Sequence, residues 1–394
     1  MPLVDPPSWL DRKFLEAVVR TRVVNYQVST LGYFSALLRV TLKLKNGDKQ
    51  SVVIKALTRP DEEDPVSKCS KFKREVQMYE SILPKLTALV DKACKGKLPP
   101  MAPRCLYSTS DVLVIEDLAP FGFKIFDRRE GFCMKRCMVV MRTLARFHAA
   151  SAVLHQQEPE SMEAFQNSVF SEPLTQARLG DYFTGMTNLL ADEVTKWAEF
   201  SDELVKKLRI MAPRMVQLAA LASKRDEGRF NVLTHDDLWI NNIMFRGYDD
   251  VRLIDFQVSH FTSPGNDLQF FVCTSAADEV RKGHITTLLQ EYHSTLCESL
   301  IAMDYDGKIL TFKEVEDEYN RSSLYGFIMA AVFLPATLCR PGCAVPSFDS
   351  ECSQMDGNIY DGSKFRDVMR AMLPEFQAQG AFELAEKLLS YSCV

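Results

Sequence analysis

Two apolar runs flank a tight turn early in the chain, and together they dictate its first architecture. Residues 33–44 (YFSALLRVTLKL) and 50–57 (QSVVIKAL) are rich in apolar and β-branched side chains, and Asn46-Gly47-Asp48-Lys49 joins them. An Asn-Gly pair tolerates the positive backbone angles of a tight hairpin turn, so the pattern predicts a β-hairpin. Residues 106–107 and 112–115 read as two more short strands, and 72–86 carries helical spacing. Residues 1–20 read as an amphipathic helix with Ser8 as its N-cap. The first 115 or so residues are therefore expected to form an antiparallel sheet with one long helix.

Past residue 130 the texture turns helical. Met134, Cys137, Met138, Met141, Leu144, Ala145 and His148 recur at i, i+3, i+4, i+7, the mark of one buried helix face. Similar spacing covers 175–222, 276–302, 311–338 and 364–391. One island of strand interrupts it, 242–245 and 252–256 joined by Gly247-Tyr248-Asp249-Asp250. At 394 residues the chain is too long for one compact core. The expected fold is α+β and two-lobed: a small lobe over 1–116, holding the antiparallel sheet and its helix, and a mostly helical large lobe over 117–394.

Composition narrows the partners. With 47 basic against 52 acidic residues the net charge is −5, and a binder of phosphate backbones needs a basic face. Nucleic acid is therefore not expected. The 11 cysteines follow no regular spacing and include no CxxC pair, which predicts neither a disulfide framework nor a structural zinc site. The N-terminal stretch has early Asp and Pro and no signal-peptide apolar run. The longest apolar run, 327–338, is broken by Pro335 and is shorter than the roughly 20 residues a membrane span needs. A soluble cytoplasmic protein away from membranes is expected.

The chemistry concentrates in 232–257, VLTHDDLWINNIMFRGYDDVRLIDFQ. Asn242 enters the first strand of the predicted hairpin and Asp255 leaves the second. A hairpin brings its open ends together, with strands ~4.8 Å apart, so these two side chains should converge. An amide oxygen beside a carboxylate suits Mg²⁺, which keeps its remaining ligand positions for water and phosphate. Asp237 lies in the preceding loop, where it can serve as a base facing the same space. Single Asp and Asn residues are common in turns, but their grouping at one hairpin mouth favours chemistry. His235 reads as a loop brace.

Lys55 is the second signal. Strand alternation puts it on the same face as Val53, among apolar neighbours, and a buried lysine needs a partner. Phe72, Val76, Tyr79, Leu83 and Leu86 form a helical stripe with Glu75 on its edge, so Glu75 can turn to the sheet and meet Lys55. A lysine so held is a point charge for nucleotide phosphates. The turn around Gly32 (residues 29–35) sits where a phosphate-covering loop would be, although it has one glycine only. The run Ile115-Glu116-Asp117-Leu118 is placed to cross between the lobes. His148 on its apolar helix face reads as a satisfied core histidine, Asp267 as a cap or an anchor for the catalytic loop, and Cys133 and Cys137 as core packing.

Taken together, Lys55, Glu75, HDDLWINN (235–242) and IDFQ (254–257) resemble the ecdysteroid-kinase-like family, relatives of choline kinases and aminoglycoside phosphotransferases. FKREVQMYESILPKL, IEDL, LARFHAAS and NDLQFF resemble further landmarks in the same order. The resemblance implies a bilobal protein-kinase-like fold and ATP-dependent phosphorylation of a small-molecule hydroxyl. It implies Asp237 as catalytic base, Asn242 and Asp255 as Mg²⁺ ligands, and Lys55 on the nucleotide phosphates, steadied by Glu75. Gly32 would cover the phosphates, and backbone groups of Glu116 and Leu118 would meet adenine. The family usually has glycine where this chain has Asp236.

The acceptor is expected in the large lobe, where Phe165, Phe170, Tyr182, Phe183, Trp197 and Phe200 supply apolar surface suited to a steroid or another lipophilic alcohol. Two rivals stand beside this reading. A catalytically silent pseudokinase that binds a small molecule or a partner would account for Asp236 and the glycine-poor loop. A metal phosphohydrolase built on His235-Asp236 would need further His and Asp ligands.

Overall fold

The computed structural model describes residues 7–31, 36–57, 65–338 and 363–391. A short helix α1 (Arg12–Val19) precedes strands β1 (Val23–Thr30), β2 (Ala36–Leu44) and β3 (Lys49–Ala56). A continuous helical rod follows: α2 (Pro65–Gln77), a π-helical turn over Met78–Ile82, and α3 (Leu83–Cys94). Strands β4 (Cys105–Ser108) and β5 (Val112–Glu116) complete a five-stranded antiparallel sheet in the order β1-β2-β3-β5-β4.

The predicted hairpin is there, with Lys43 opposite Lys49 beside the Asn-Gly turn and Leu37 opposite Lys55 at its far end. β1 adds a strand beyond the predicted ones, with Tyr26, Val28 and Thr30 alternating in VVNYQVST. The N-terminal helix starts later than its composition suggests. Asp11, not Ser8, caps it, accepting the Phe14 N–H at 2.7 Å. Pro7 explains the delay, because its carbonyl takes the Leu10 N–H in a separate turn before the helix begins.

The two sheet faces differ in kind. Val40, Leu42, Val52, Ile54 and Val114 are buried with Leu15 and Val18 of α1. The opposite face carries Val53 and Lys55 and looks toward the rod. Phe72, Val76, Tyr79, Ile82, Leu83, Leu86 and Val90 of that rod share one apolar core with the large lobe.

The large lobe starts with α4 (Met134–Gln157), α5 (Pro173–Val194), α6 (Asp202–Met211) and α7 (Met215–Ala222). Strands β6 (Val232–Thr234), β7 (Ile243–Arg246), β8 (Asp250–Leu253) and β9 (His260–Thr262) then form two small antiparallel pairs, β6 with β9 and β7 with β8. Helices α8 (Gly265–Ser275), α9 (Asp278–Gly283), α10 (Ile285–Ala302), α11 (Phe312–Arg321), α12 (Ser323–Leu338), α13 (Ser363–Ala378) and α14 (Ala381–Tyr391) close the chain. α4 is long and apolar enough to cross a membrane, but 83% of its most apolar window is buried inside the protein, so it is the core helix of this lobe. His148 lies in that helix, fully buried and satisfied by Tyr292 and Asp267.

The aromatic residues expected to receive the acceptor do other work. Phe165 is buried in the core shared with the small lobe, Phe170, Tyr182, Phe183 and Trp197 are buried in a second core, and Phe200 packs half-buried against that second core. Their apolar area stabilises helix packing and offers no open surface to a ligand.

Candidate active site

The β7–β8 hairpin builds one side of the site. Ile243 faces Leu253 at its open end, and the Ile254 N–H donates to the Asn242 carbonyl at 3.0 Å. The main chains at Asn242 and Asp255 are therefore neighbours, as the hairpin geometry requires. Outside the pair, Phe245 exchanges both backbone hydrogen bonds with Lys124, and the Leu253 N–H donates to the Met101 carbonyl at 2.8 Å. The hairpin is held on both flanks, so its ends are fixed in place.

Asp255 adopts a left-handed backbone at φ 67, which few residues other than glycine accept easily. Phe256 explains why it is held there. The ring is fully buried and meets Tyr79 edge-on, with His235 and Phe147 against its other sides. Driving Phe256 into the core turns the Asp255 carboxylate out to Lys55.

Lys55 is shared. Its Nζ lies 2.5 Å from Glu75 and 2.9 Å from Asp255, with the Gln257 Oε1 at 3.4 Å. Burial alone would lower the lysine pKa, but the two carboxylates outweigh that and raise it above its ordinary value. One ammonium cannot fully serve both acids. Glu75 is the more enclosed, at 4% exposure against 33% for Asp255. Desolvation raises the Glu75 pKa, Lys55 pulls it down and Asp255 adds to the rise, which together put it at about 7.

Asp237 sits across from this trio. The Asn242 side-chain NH₂ donates to the Asp237 carboxylate at 2.7 Å and to its carbonyl at 2.9 Å. Burial first, and the charge of Asp255 second, hold the Asp237 pKa well above the usual carboxylate range. Two carboxylates and an amide thus crowd one space with too little positive charge, and a hard divalent cation would relieve the repulsion. Among the described residues no three His, Cys, Asp or Glu side chains gather into a metal cluster. A Mg²⁺ held by Asn242 and Asp255 would then take its other oxygens from phosphate and water.

The loop carrying Asp237 is tied from behind. Asp267 accepts the backbone N–H groups of His235 and Asp236 at 2.7 and 2.8 Å, and its Oδ2 meets the buried His148. His235 braces the loop as expected: its Nε2 meets the Ile254 carbonyl at 3.0 Å, and its Nδ1 accepts the Asp237 N–H. Burial lowers the His235 pKa, which suits a neutral ring in that role.

Asp236 does not join Asp237. It turns away into the protein interior toward His260, so it supplies no additional ligand to the cation space. At the lobe crossing, Asp117 is buried and bound by Arg39 at 2.7 Å and Ser51 at 2.6 Å. Neighbouring Glu116 gives its N–H to the Arg104 carbonyl, and the Leu118 carbonyl accepts from Phe121 and Phe123. Gly32 lies outside the described residues.

The structure therefore brings Lys55, Glu75, Asp237, Asn242 and Asp255 together and leaves Glu116 and Leu118 at the crossing. Sequence reasoning missed Arg74. Buried beside Glu75 on the rod, it reaches the Ser259 carbonyl at 3.4 Å and Glu172 at 3.6 Å. Nothing in the local pattern signals partners so distant along the chain.

Comparison with solved structures finds similarity to a macrolide 2'-phosphotransferase from Brachybacterium faecium, with 14% identity, 82% of this chain and 91% of that chain covered, and a TM-score of 0.43. Ethanolamine kinase from Plasmodium vivax is similar at 13% identity, 90% and 83% coverage and a TM-score of 0.44. Choline kinase from Streptococcus pneumoniae is similar at 12% identity, 92% and 98% coverage and a TM-score of 0.41. A search of curated proteins returned no match. The profile of the Ecdysteroid kinase-like family matches residues 30–305, most of the small lobe and the whole catalytic region. The chain belongs to the ecdysteroid kinase-like family, and its two lobes are those of a kinase-like phosphotransferase for small molecules.

Proposed function

We propose that the protein transfers the γ-phosphoryl group of ATP to a hydroxyl of an ecdysteroid or a similar lipophilic alcohol. The observation that carries this reading is the Glu75–Lys55–Asp255 chain of contacts facing Asp237. It holds one fixed cation and one carboxylate of raised pKa on opposite sides of a single space.

Phosphoryl transfer asks mainly for positioning and charge neutralisation. Lys55 meets the nucleotide phosphates and is kept in place by Glu75. Asp237 orients the acceptor hydroxyl and takes its proton as the oxygen–phosphorus bond forms and ADP leaves. Asn242 holds the Asp237 carboxylate at the angle this needs. A Mg²⁺ at Asn242 and Asp255 would neutralise phosphate charge and lower the Asp237 pKa toward working range.

A cavity of about 830 Å³ in the large lobe supports a bulky acceptor. Its wall mixes Val216, Ala220 and Leu221 with Gln166, Gln217, His260 and the charged Lys224, Arg225 and Glu227, a lining suited to a molecule with both apolar and polar faces. The silent-module alternative is weakened by the presence and mutual contact of Lys55, Glu75 and Asp255. We place the reaction in the cytoplasm, a reading supported by six free thiols among the described residues, including Cys133, Cys137 and Cys273.

The test is a thermal-shift titration with Mg-ATP, followed by a panel of radiolabelled phosphotransfer assays on steroids, choline, sugars and plant alcohols. Stabilisation by Mg-ATP and labelling of a polyhydroxylated steroid are expected. A flat melting curve would move the protein to the silent reading, and labelling of choline alone would remove the lipophilic acceptor.

A further inference from the structure

Asp236 and Asp237 are adjacent, yet their carboxylates serve different surroundings. Asp237 turns to Asn242, whereas the Asp236 side chain is 2% exposed, with its Oδ2 3.6 Å from the His260 Nδ1. Neither Asp236 oxygen has a hydrogen-bond partner. A buried carboxylate without hydrogen bonds is costly and needs compensating charge nearby. The groups around it are His260 of β9, the Tyr325 hydroxyl of α12 and, more distantly and without an ion pair, Arg74 of α2.

The backbone carries a second cost. Asp236 sits at φ 61, where glycine rests freely and aspartate is merely tolerated. Its N–H is pinned to Asp267 at 2.8 Å, so the residue cannot relax without shifting the loop. Backbone strain of this kind persists where the surroundings over-determine it.

Arg74 connects the cluster to the nucleotide side. It immediately precedes Glu75, which holds Lys55, and it also binds the Ser259 carbonyl next to His260. His260 in turn places its Nε2 3.3 Å from the Gln166 carbonyl. One stretch of helix therefore holds Lys55 through Glu75 and the Ser259 carbonyl, next to His260, through Arg74.

We propose that Asp236 is a positioning residue whose carboxylate, packed against His260 beside the Arg74–Ser259 contact, sets the backbone that aims Asp237 and links that aim to the seat of the small-lobe helix. The proposal rests on Asp237 acting as the base, but it makes a structural claim that can be read separately.

The experiment uses the full chain, with slow hydrolysis of Mg-ATP in the absence of acceptor as the kinetic probe and hydrogen exchange as the structural one. Asp236→Asn should lower kcat by about tenfold or more with little change in KM for ATP, and amides 234–242 should exchange about tenfold faster while those of β3 do not change. Arg74→Gln should do the same, the double variant should be no worse than either single one, and Arg74→Lys should retain most of the turnover. A folded Asp236→Asn protein with wild-type turnover and exchange would overturn the proposal, as would losses that multiply in the double variant. If Asp236→Asn fails to fold, His260→Gln, which alters the same contact from its other side, carries the same expectations. A wild-type protein that hydrolyses no ATP would sink the kinase reading, and the exchange measurement would still decide the positioning role.

Discussion

The carboxylate of Asp267 accepts the backbone N–H of His235 at 2.7 Å, across 32 positions of chain. The same group takes the Asp236 N–H and meets His148, all without solvent. Asp267→Asn keeps the shape but puts an NH₂ where an oxygen accepted. A buried donor left unmatched costs about 1–3 kcal/mol. A urea titration should show that loss of stability, together with weaker phosphotransfer. An unchanged midpoint would mean that the loop is held by other contacts.

Asp237→Asn separates catalysis from stability. Loss of the base should lower turnover by about 10²–10⁴. Because burial and Asp255 disfavour the ionised carboxylate, the neutral amide should leave the protein at least as stable as wild type near neutral pH. Calorimetry beside a phosphotransfer assay checks both halves, and a variant that melts earlier contradicts the second.

Glu75 gives a pH signature. Its pKa rises from 4.5 to about 7 in the folded protein, so between those values the folded chain holds a proton that the unfolded chain has released. That contribution to stability is complete below the lower value and fades as pH climbs through the upper one. In the free enzyme, kcat/KM for ATP should rise across the same upper range, as Glu75 ionises and grips Lys55. Glu75→Gln should abolish both trends. A profile for Glu75→Gln that still bends near pH 7 would assign the limb to Asp237.

Gly265 opens α8 where α11 lies against it. A Cβ there would stand 2.2 Å from the Glu318 carbonyl oxygen and 2.8 Å from its carbon, and neither can swing aside. Gly265→Ala should cost about 1–3 kcal/mol through overpacking. Since Asp267 lies two residues on, the catalytic loop should also loosen. Thermal unfolding and exchange at 234–238 measure the two effects, and a wild-type melting temperature would show that α11 yields.

Much of this site was legible because its parts are local. The Asn242–Asp255 convergence follows from one hairpin, and the Lys55–Glu75 contact from strand alternation meeting a helical stripe. The bracing role of His235 and the anchoring role of Asp267 were legible for similar reasons. What stayed hidden depends on distant pairing. Arg74 and Ser259 are 185 positions apart, and no periodicity joins them. Asp236 turns its side chain toward His260, because successive residues of a bent loop face opposite ways, although its charge still adds to the rise in the Asp237 pKa. The large-lobe aromatics misled because apolar bulk marks a core as readily as a ligand pocket.

The π-helical turn at Met78–Ile82 joins the two stretches of the rod. Upstream of it Glu75 points at the sheet while Phe72 and Val76 enter the shared core, and downstream Leu83, Leu86 and Val90 continue that core. One residue of helix is worth about 100° of rotation. Deleting a single residue there would turn Glu75 by that angle relative to Leu83, Leu86 and Val90. The length of this segment thus keeps the grip on Lys55 in phase with the large-lobe packing.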